Sequence, residues 1–292
     1  MNAALAESAP KAEGGARRAR PLLSDRATAL VLRGGFGAYV SVLVALPLLA
    51  LVVRGLSDGP AAAAWAAITA PAAVAALGLS LGTGLVAALV NGVAGTAIAW
   101  VLVRWDVPGR RLLSALVDLP LAVPTLVAGI LLVALFGPQT PVGAWLVRHD
   151  LAVAYARPGI VLALLFVTLP FVVRAVEPVL HELDPAEEEA ATTLGAGRWL
   201  TFRHVLLPPL LPAIAAGTVQ VFARSVAEFG SLAAVSGNIP FQTLTAPVYI
   251  LGEVEGGAPG SAAAVSLVLL TFALALQPLS HALARAAGSR RG

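Results

Sequence analysis

Long apolar stretches alternate with short polar connectors along this chain. A membrane-crossing helix needs about 20 apolar residues, and six segments reach that length: roughly 36 to 55, 76 to 103, 112 to 136, 158 to 180, 206 to 230 and 261 to 284. The pattern predicts an all-α membrane protein with six transmembrane helices. The second stretch is long enough to tilt or to begin outside the bilayer. Prolines fall inside several stretches: Pro120 and Pro124 in the third, Pro170 in the fourth, and Pro208, Pro209 and Pro212 at the start of the fifth. Each removes a backbone donor and tends to kink its helix, either as plain packing or along a water-filled pathway that satisfies the freed carbonyls. Gly78 and Gly82 form a G-x-x-x-G, which permits close contact with a neighbouring helix.

Composition supports this reading. Apolar residues make up 58% of the chain and charged residues 12%, against about a quarter charged in soluble proteins. Residues 1–33, with Lys11, Arg17, Arg18, Arg20, Arg26 and Arg33 among Ala, Gly and Ser, read as a disordered basic arm ahead of a six-span body at 34–292. A cleaved signal peptide is the competing reading of the first span, with "AAAAWA" at 61–66 as its cut site, although the apolar core is long for one.

With the N-terminus inside, six spans put both termini in the cytoplasm. The inner segments then hold 15 of the 19 Lys and Arg: the six in the arm, Arg104, Arg110, Arg111, Arg174, Arg198, Arg203, Arg285, Arg290 and Arg291. Only Arg54, Arg148 and Arg157 lie outside, and Arg224 lies within a span. Positive-inside asymmetry favours that orientation in an inner, multi-pass cell membrane. It also explains the net charge of +3 better than nucleic-acid binding does. The chain has no cysteine, which excludes disulfides, thiolate metal sites and a cysteine nucleophile. Its one lysine lies in the arm, so no Walker-type phosphate loop can form. If ATP drives this protein, another chain hydrolyses it.

The polar connector at 181–208, between the fourth and fifth spans, is organised. In "DPAEEEAATTLGAG" Asp184 caps a helix, Pro185 suits its first position, Glu187 sits where a capping box needs it, and the acidic first turn favours the positive helix end. Gly195 is placed to end the helix in a left-handed conformation. Ala186, Ala190, Ala191 and Leu194 share a small apolar face, with Glu187 and Glu188 pointing elsewhere. A second short helix, roughly 198–206, runs to Pro208. Small residues on such a projecting element let a partner's surface come close.

These residues carry a resemblance. Glu189, Ala190, Ala191, three residues, Gly195, nine residues, then Val205, Leu206, Leu207 and Pro208 resemble the EAA loop of permease subunits of ABC importers. The resemblance implies the type I importer permease fold, with 181–208 as the element whose coupling helix docks on a cytoplasmic ATPase subunit. Glu189, Ala190, Ala191, Gly195 and Pro208 are then the ATPase-coupling residues. It further implies two ATPase subunits that carry the ATP and Mg, a second permease subunit (a sister or a copy of this chain), and an extracytoplasmic binding protein. This chain itself would bind no cofactor or metal and would be no enzyme.

From about residue 36 onward the resemblance narrows. "VLVRWDVPGRRLLSALVDLPLAVPTLVAGI" (101–130), "GIVLALLFVTLPFVVRAVEPVL" (159–180) and "SVAEFGSLAAVSGNIPFQT" (225–243) are similar to the T-type permease of sulfate/thiosulfate importers. Molybdate or tungstate permeases are the alternative. Gln242 departs from the pattern, where lysine is expected, and the connector between the last two spans then has no Lys or Arg. It offers neutral donors instead. Ser231, Ser236, Gly237 and Asn238 are the candidate substrate-pathway residues, together with Arg224; equally, "SGNIP" suits a plain turn.

Arg224 and Glu228, four apart, read as a structural ion pair with Asp118 as a third member, because charges at membrane depth need partners or water. Arg174 and Glu177 read as interfacial anchors. His181 begins "HELDP" but lacks the second histidine of a zinc motif. In a different class, a proton-coupled secondary anion transporter would use Glu228, Arg224 and Asp118 as a relay, but it leaves the 181–208 element unexplained.

Overall fold

A computed structural model of the chain describes residues 25–57 and 61–289. It is helical nearly throughout. The chain falls into two compact units, Met1–Ala50 and Leu51–Gly292. In the first, helix α1 (Asp25–Val40) passes through a π-helical turn at Ser41–Ala45 into α2 (Leu46–Ser57), which runs on into the second unit. Residues 1–24 of the expected basic arm lie outside the described residues; its last nine, 25–33, are helical rather than disordered.

The second unit continues with α3 (Ala61–Thr69), α4 (Pro71–Arg104), α5 (Arg110–Ala122), α6 (Thr125–Phe136), α7 (Pro141–Arg148) and α8 (Arg157–Glu182). Then follow α9 (Pro185–Thr193), α10 (Arg198–Thr201), a π turn at Phe202–Leu206, α11 (Leu207–Val226), α12 (Gly230–Val235), α13 (Ala246–Glu255) and α14 (Pro259–Ser289). The alanines at 61–66, weighed as a cleavage site, form most of α3. Among the described residues five continuous helices are long and apolar enough to cross a membrane: Leu32–Gly55, Pro71–Arg104, Arg157–Glu182, Arg198–Val226 and Pro259–Leu283.

The third expected span is not a straight helix. It is α5 and α6, bent by 110° at their junction. The cause is local: Val123, which precedes a proline, is extended (φ −88°, ψ 128°), and Pro124 follows it out of the helix (φ −55°, ψ 133°). With 13 and 12 residues, neither half crosses a hydrocarbon core of about 30 Å alone, at about 1.5 Å per residue. The pair nevertheless travels the length of the bundle. Arg110 at its start meets His181 at the end of α8 (3.4 Å), whereas α6 packs on α12 where Gly129 lies against Ser231. Pro170 behaves differently and leaves α8 unbroken. One turn before it, where a proline loosens the helix ladder, the Leu165 carbonyl accepts from Asn91 Nδ2 at 3.0 Å, and the same nitrogen donates to Thr168 Oγ1 at 2.9 Å.

Helices α4, α8 and α11 form the centre. Asn91 lies beside Leu165 and Thr168, and Gly95 beside Val172, so α4 and α8 run parallel. Segment 105–156 must therefore return the chain from one end of the bundle to the other. Helix α11 runs against both: Gly92 faces Thr218, Gly84 faces Ser225, and Gly217 faces Val172. In lipid the hydrophobic effect does little to bring helices together, so close contact of small residues carries the packing. The α4 contact glycines are Gly84, Gly92 and Gly95; a Cβ on Gly92 would sit 2.7 Å from Thr218 Oγ1, and one on Gly95 2.8 Å from Val172 Cβ. Gly78 and Gly82, whose spacing would permit such a contact, have no atom of this chain within 4 Å of a Cβ and face open space. Val172, Val173, Val176, Leu210 and Val221 are fully buried between these helices. Outward-facing Leu85, Leu89 and Val93 of α4 are exposed, as contact with lipid or a partner span requires.

Candidate functional site

The connector between α8 and α11 folds as its sequence implies at both ends of α9. Asp184 Oδ1 accepts from the Ala186 amide at 2.9 Å, and Pro185 takes the first turn, where its missing N–H costs nothing. Gly195 has φ +85°, a conformation in which an L side chain is strained. It permits paired closing bonds, Gly195 N–H to Thr192 O (2.9 Å) and Ala196 N–H to Ala191 O (3.0 Å), which satisfy carbonyls the helix end would orphan. The helix is thereby cut at nine residues and the chain turns back.

The second helix differs from expectation. It is not a separate element stopping at Pro208 but the beginning of α11, so that Arg198–Val226 is one 29-residue helix. The π turn at Phe202–Leu206, closed by Leu207 N–H to Phe202 O, makes this possible. Pro208 has no N–H for the preceding turn, and the widened turn admits its ring without ending the helix. A continuous helix thus leads from the Gly195 turn into the centre of the bundle.

Ala186, Ala190 and Leu194, on the small apolar face, are exposed, Leu194 at 88%. Glu189 is exposed beside them and Ala191 is half-buried. Trp199 and Leu200 add further exposed apolar surface. Glu188 lies off that face, as expected, and is half-buried. It pairs with Arg104, the last residue of α4, whose guanidinium also lies 5.5 Å from the centre of the Trp100 ring. Trp100 meets Phe202 edge-on at 5.6 Å, and Phe202 stacks on Trp199 at 5.8 Å. The end of α4, the flank of α9 and the π turn are therefore one clamped unit. No sequence periodicity gives the Arg104–Glu188 pair, because it depends on the parallel packing of α4 and α8.

Arg224 and Glu228 do pair, at 3.0 Å, although α11 ends at Val226 and Glu228 lies in the turn beyond it. Glu228 is 1% exposed and also accepts from the Ser231 amide and hydroxyl, both at 3.1 Å. Asp118 is not a third member. It pairs with Arg174, which donates from Nε to Asp118 Oδ1 at 2.8 Å, reaches Ser114 Oγ at 2.8 Å, and pairs with Glu177 of its own helix. Parallel α4 and α8 place α5 against the last turns of α8, far along the bundle from Glu228. Arg174, with Glu177 beside it on the same helix, thus also bridges α8 to the broken span.

The candidate pathway residues bond mostly among themselves. Ser236 Oγ donates to Asn238 Oδ1 at 2.7 Å and accepts from the Asn238 amide at 3.3 Å, and Asn238 Nδ2 donates to Ala233 O at 3.1 Å. Gly237 (φ +76°) and Asn238 (φ +55°) make the turn, against Tyr155. This is turn architecture. Thr243 Oγ1 accepts from the Ile239 amide at 3.1 Å, closing the next turn. Among the described residues no three His, Cys, Asp or Glu side chains are grouped to hold a metal ion.

Residues 91–287 match the family described as "Binding-protein-dependent transport system inner membrane component". The chain belongs to this family. It is a permease, a transport component rather than an enzyme. Over 238 residues it is 44% identical to the sulfate transport system permease protein CysT of Escherichia coli (strain K12), covering 82% of this chain and 86% of that one. Over 245 residues it is 42% identical to CysT of Synechococcus elongatus, covering 84% and 88%. In fold it is similar to a chain of a bacterial alginate ABC transporter solved with an alginate pentasaccharide-bound periplasmic protein, with a TM-score of 0.71 at 18% identity, covering 89% of this permease and 94% of that chain. The matched segment takes in α8, the α9 element and α11, so this multi-pass membrane protein carries its projecting helix inside the part that defines the family.

Proposed function

We propose that this permease forms the membrane pathway of an ATP-driven importer of sulfate, with thiosulfate as a second substrate. The identity of more than 40% to sulfate permeases over four-fifths of the chain carries the substrate reading. The exposed helix, Gly195 turn and continuous helix into α11 support the coupling reading. Glu189, Ala190 and Leu194 present a short helix to a cytoplasmic ATPase subunit, Ala191 and Gly195 allow close docking and set the angle, and the continuous helix through Pro208 carries the movement inward. Both termini then lie in the cytoplasm, and the α5–α6 pair serves as a broken sixth span. The working assembly has a second permease, two ATPase subunits holding ATP and Mg, and an extracytoplasmic protein that delivers the anion.

A proton relay through Asp118, Arg224 and Glu228 is disfavoured, since Asp118 is engaged by Arg174 elsewhere. The substrate is tested by uptake of labelled sulfate into vesicles holding the whole complex, competed separately by thiosulfate and molybdate. Block by thiosulfate is expected. Preferential block by molybdate overturns the substrate and leaves the architecture standing.

A further inference from the structure

We propose that a pocket at the outer end of the bundle is an entry site for a tetrahedral oxyanion, held by the guanidinium of Arg157. The inference rests on the reading of this chain as an anion importer. The pocket measures about 450 Å³ and lies between the first turns of α4, the start of α8 and the loop after α12; Gly78, Gly82, Thr83, Arg157 and Gln242 line it. At about 30 Å³ per water it holds an oxyanion together with part of its hydration shell.

Three observations converge there. Gly78 and Gly82 lie one turn apart on α4, with nothing within 4 Å of where a side chain would begin. They touch no other described helix of this chain, and both line the pocket. Arg157 donates from Nε to the Gln242 carbonyl at 3.1 Å. That bond fixes the plane of the guanidinium, and among the described residues its two terminal nitrogens have no hydrogen bond or ion pair. Two free parallel donors on a fixed plane suit two oxygens of one oxyanion. Finally, the chain from 227 to 258 contains no Lys or Arg, while its Ser231, Ser236 and Asn238 side chains bond within the turn. Arg157, from a different connector, brings positive charge to that loop. It is exposed, so water competes with it and the anion is held weakly, as a transport step requires.

The test uses the complete transporter in proteoliposomes, with anion-loaded binding protein titrated up to saturation, and reads initial uptake of labelled sulfate and, separately, labelled molybdate. Whichever oxyanion the wild type carries is the probe, so a wrong substrate assignment is detected in the wild type and does not imitate failure of this site. Arg157→Gln is expected to lower uptake roughly tenfold, in keeping with loss of a charged hydrogen bond, and Arg157→Lys to keep most of it. Gly82→Leu, which places a helix-favouring side chain in open space, is expected to assemble normally and to block uptake by filling the pocket. Wild-type uptake in Arg157→Gln or in assembled Gly82→Leu overturns the site. So does an Arg157→Gln defect that disappears as binding protein is raised, which would make Arg157 a protein-docking contact. A wild type that carries neither anion overturns the importer reading and this site with it.

Discussion

Arg104 closes α4 with its guanidinium paired to Glu188 of the projecting helix α9, and it lies over Trp100 as it does so. The contact makes α9 a fixed extension of two bundle helices. A lever hinged only at Leu183 and the Gly195 turn would absorb a partner's push by swinging; a clamped one passes it on. Both side chains are largely shielded, with 20% and 29% exposure, and removing one leaves the other charge poorly solvated.

Glu188→Gln and Arg104→Ala should therefore each destabilise the complex by about 1–3 kcal/mol and lower the ratio of anion imported to ATP hydrolysed. Exchanging the two, Arg104→Glu with Glu188→Arg, should recover part of the ratio. Coupled uptake and ATPase assays on the reconstituted complex measure this.

The Arg174 bridge makes a different prediction. Arg174 reaches Asp118, Ser114 and Glu177 together, so Arg174→Ala leaves two carboxylates without their shared cation. With exposures of 33%, 44% and 19%, solvent screens part of the loss, and a destabilisation of about 1–2 kcal/mol is expected. Arg174→Lys should not restore it, because an ammonium cannot fork between the partners. Thermal unfolding in detergent reads both variants.

The glycines of α4 sort into two kinds by the same measurement. Gly95→Leu drives side-chain atoms into Val172 and should cost about 1–3 kcal/mol through overpacking. Gly78→Ala meets nothing within 4 Å and should raise the melting temperature, since alanine favours helix over glycine by about 0.5–1 kcal/mol.

That contrast shows where the sequence is readable. Asp184, Pro185 and Gly195 act through their own backbone or their nearest neighbours, so start, stop and turn of α9 are legible from residue type alone. The apolar lengths likewise give the long helices. Gly78 and Gly82 mislead because spacing along one helix does not say which face meets a neighbour; Gly84, Gly92 and Gly95 make the contacts. Asp118 misleads for a related reason. Its partner depends on how α5 lies on α8 after the Pro124 break, and the 110° bend is not readable from a proline that elsewhere, at 170, leaves its helix intact. Arg157 is visible in the sequence only as one of a few outer charges; its bond to Gln242 belongs to the fold.

Gly195 sets the angle on which coupling between α9 and α11 most directly depends. A bulky residue there, as in Gly195→Val, must either adopt φ near +85° at a cost of about 1–2 kcal/mol or redirect the chain between α9 and the helix into α11. The measurement is ATP-driven sulfate uptake alongside ATP hydrolysis in proteoliposomes holding the variant complex. The prediction is a normally inserted permease with sulfate uptake lost, the ATPase either failing to assemble or hydrolysing without transport. Uptake at the wild-type rate per ATP hydrolysed would contradict it.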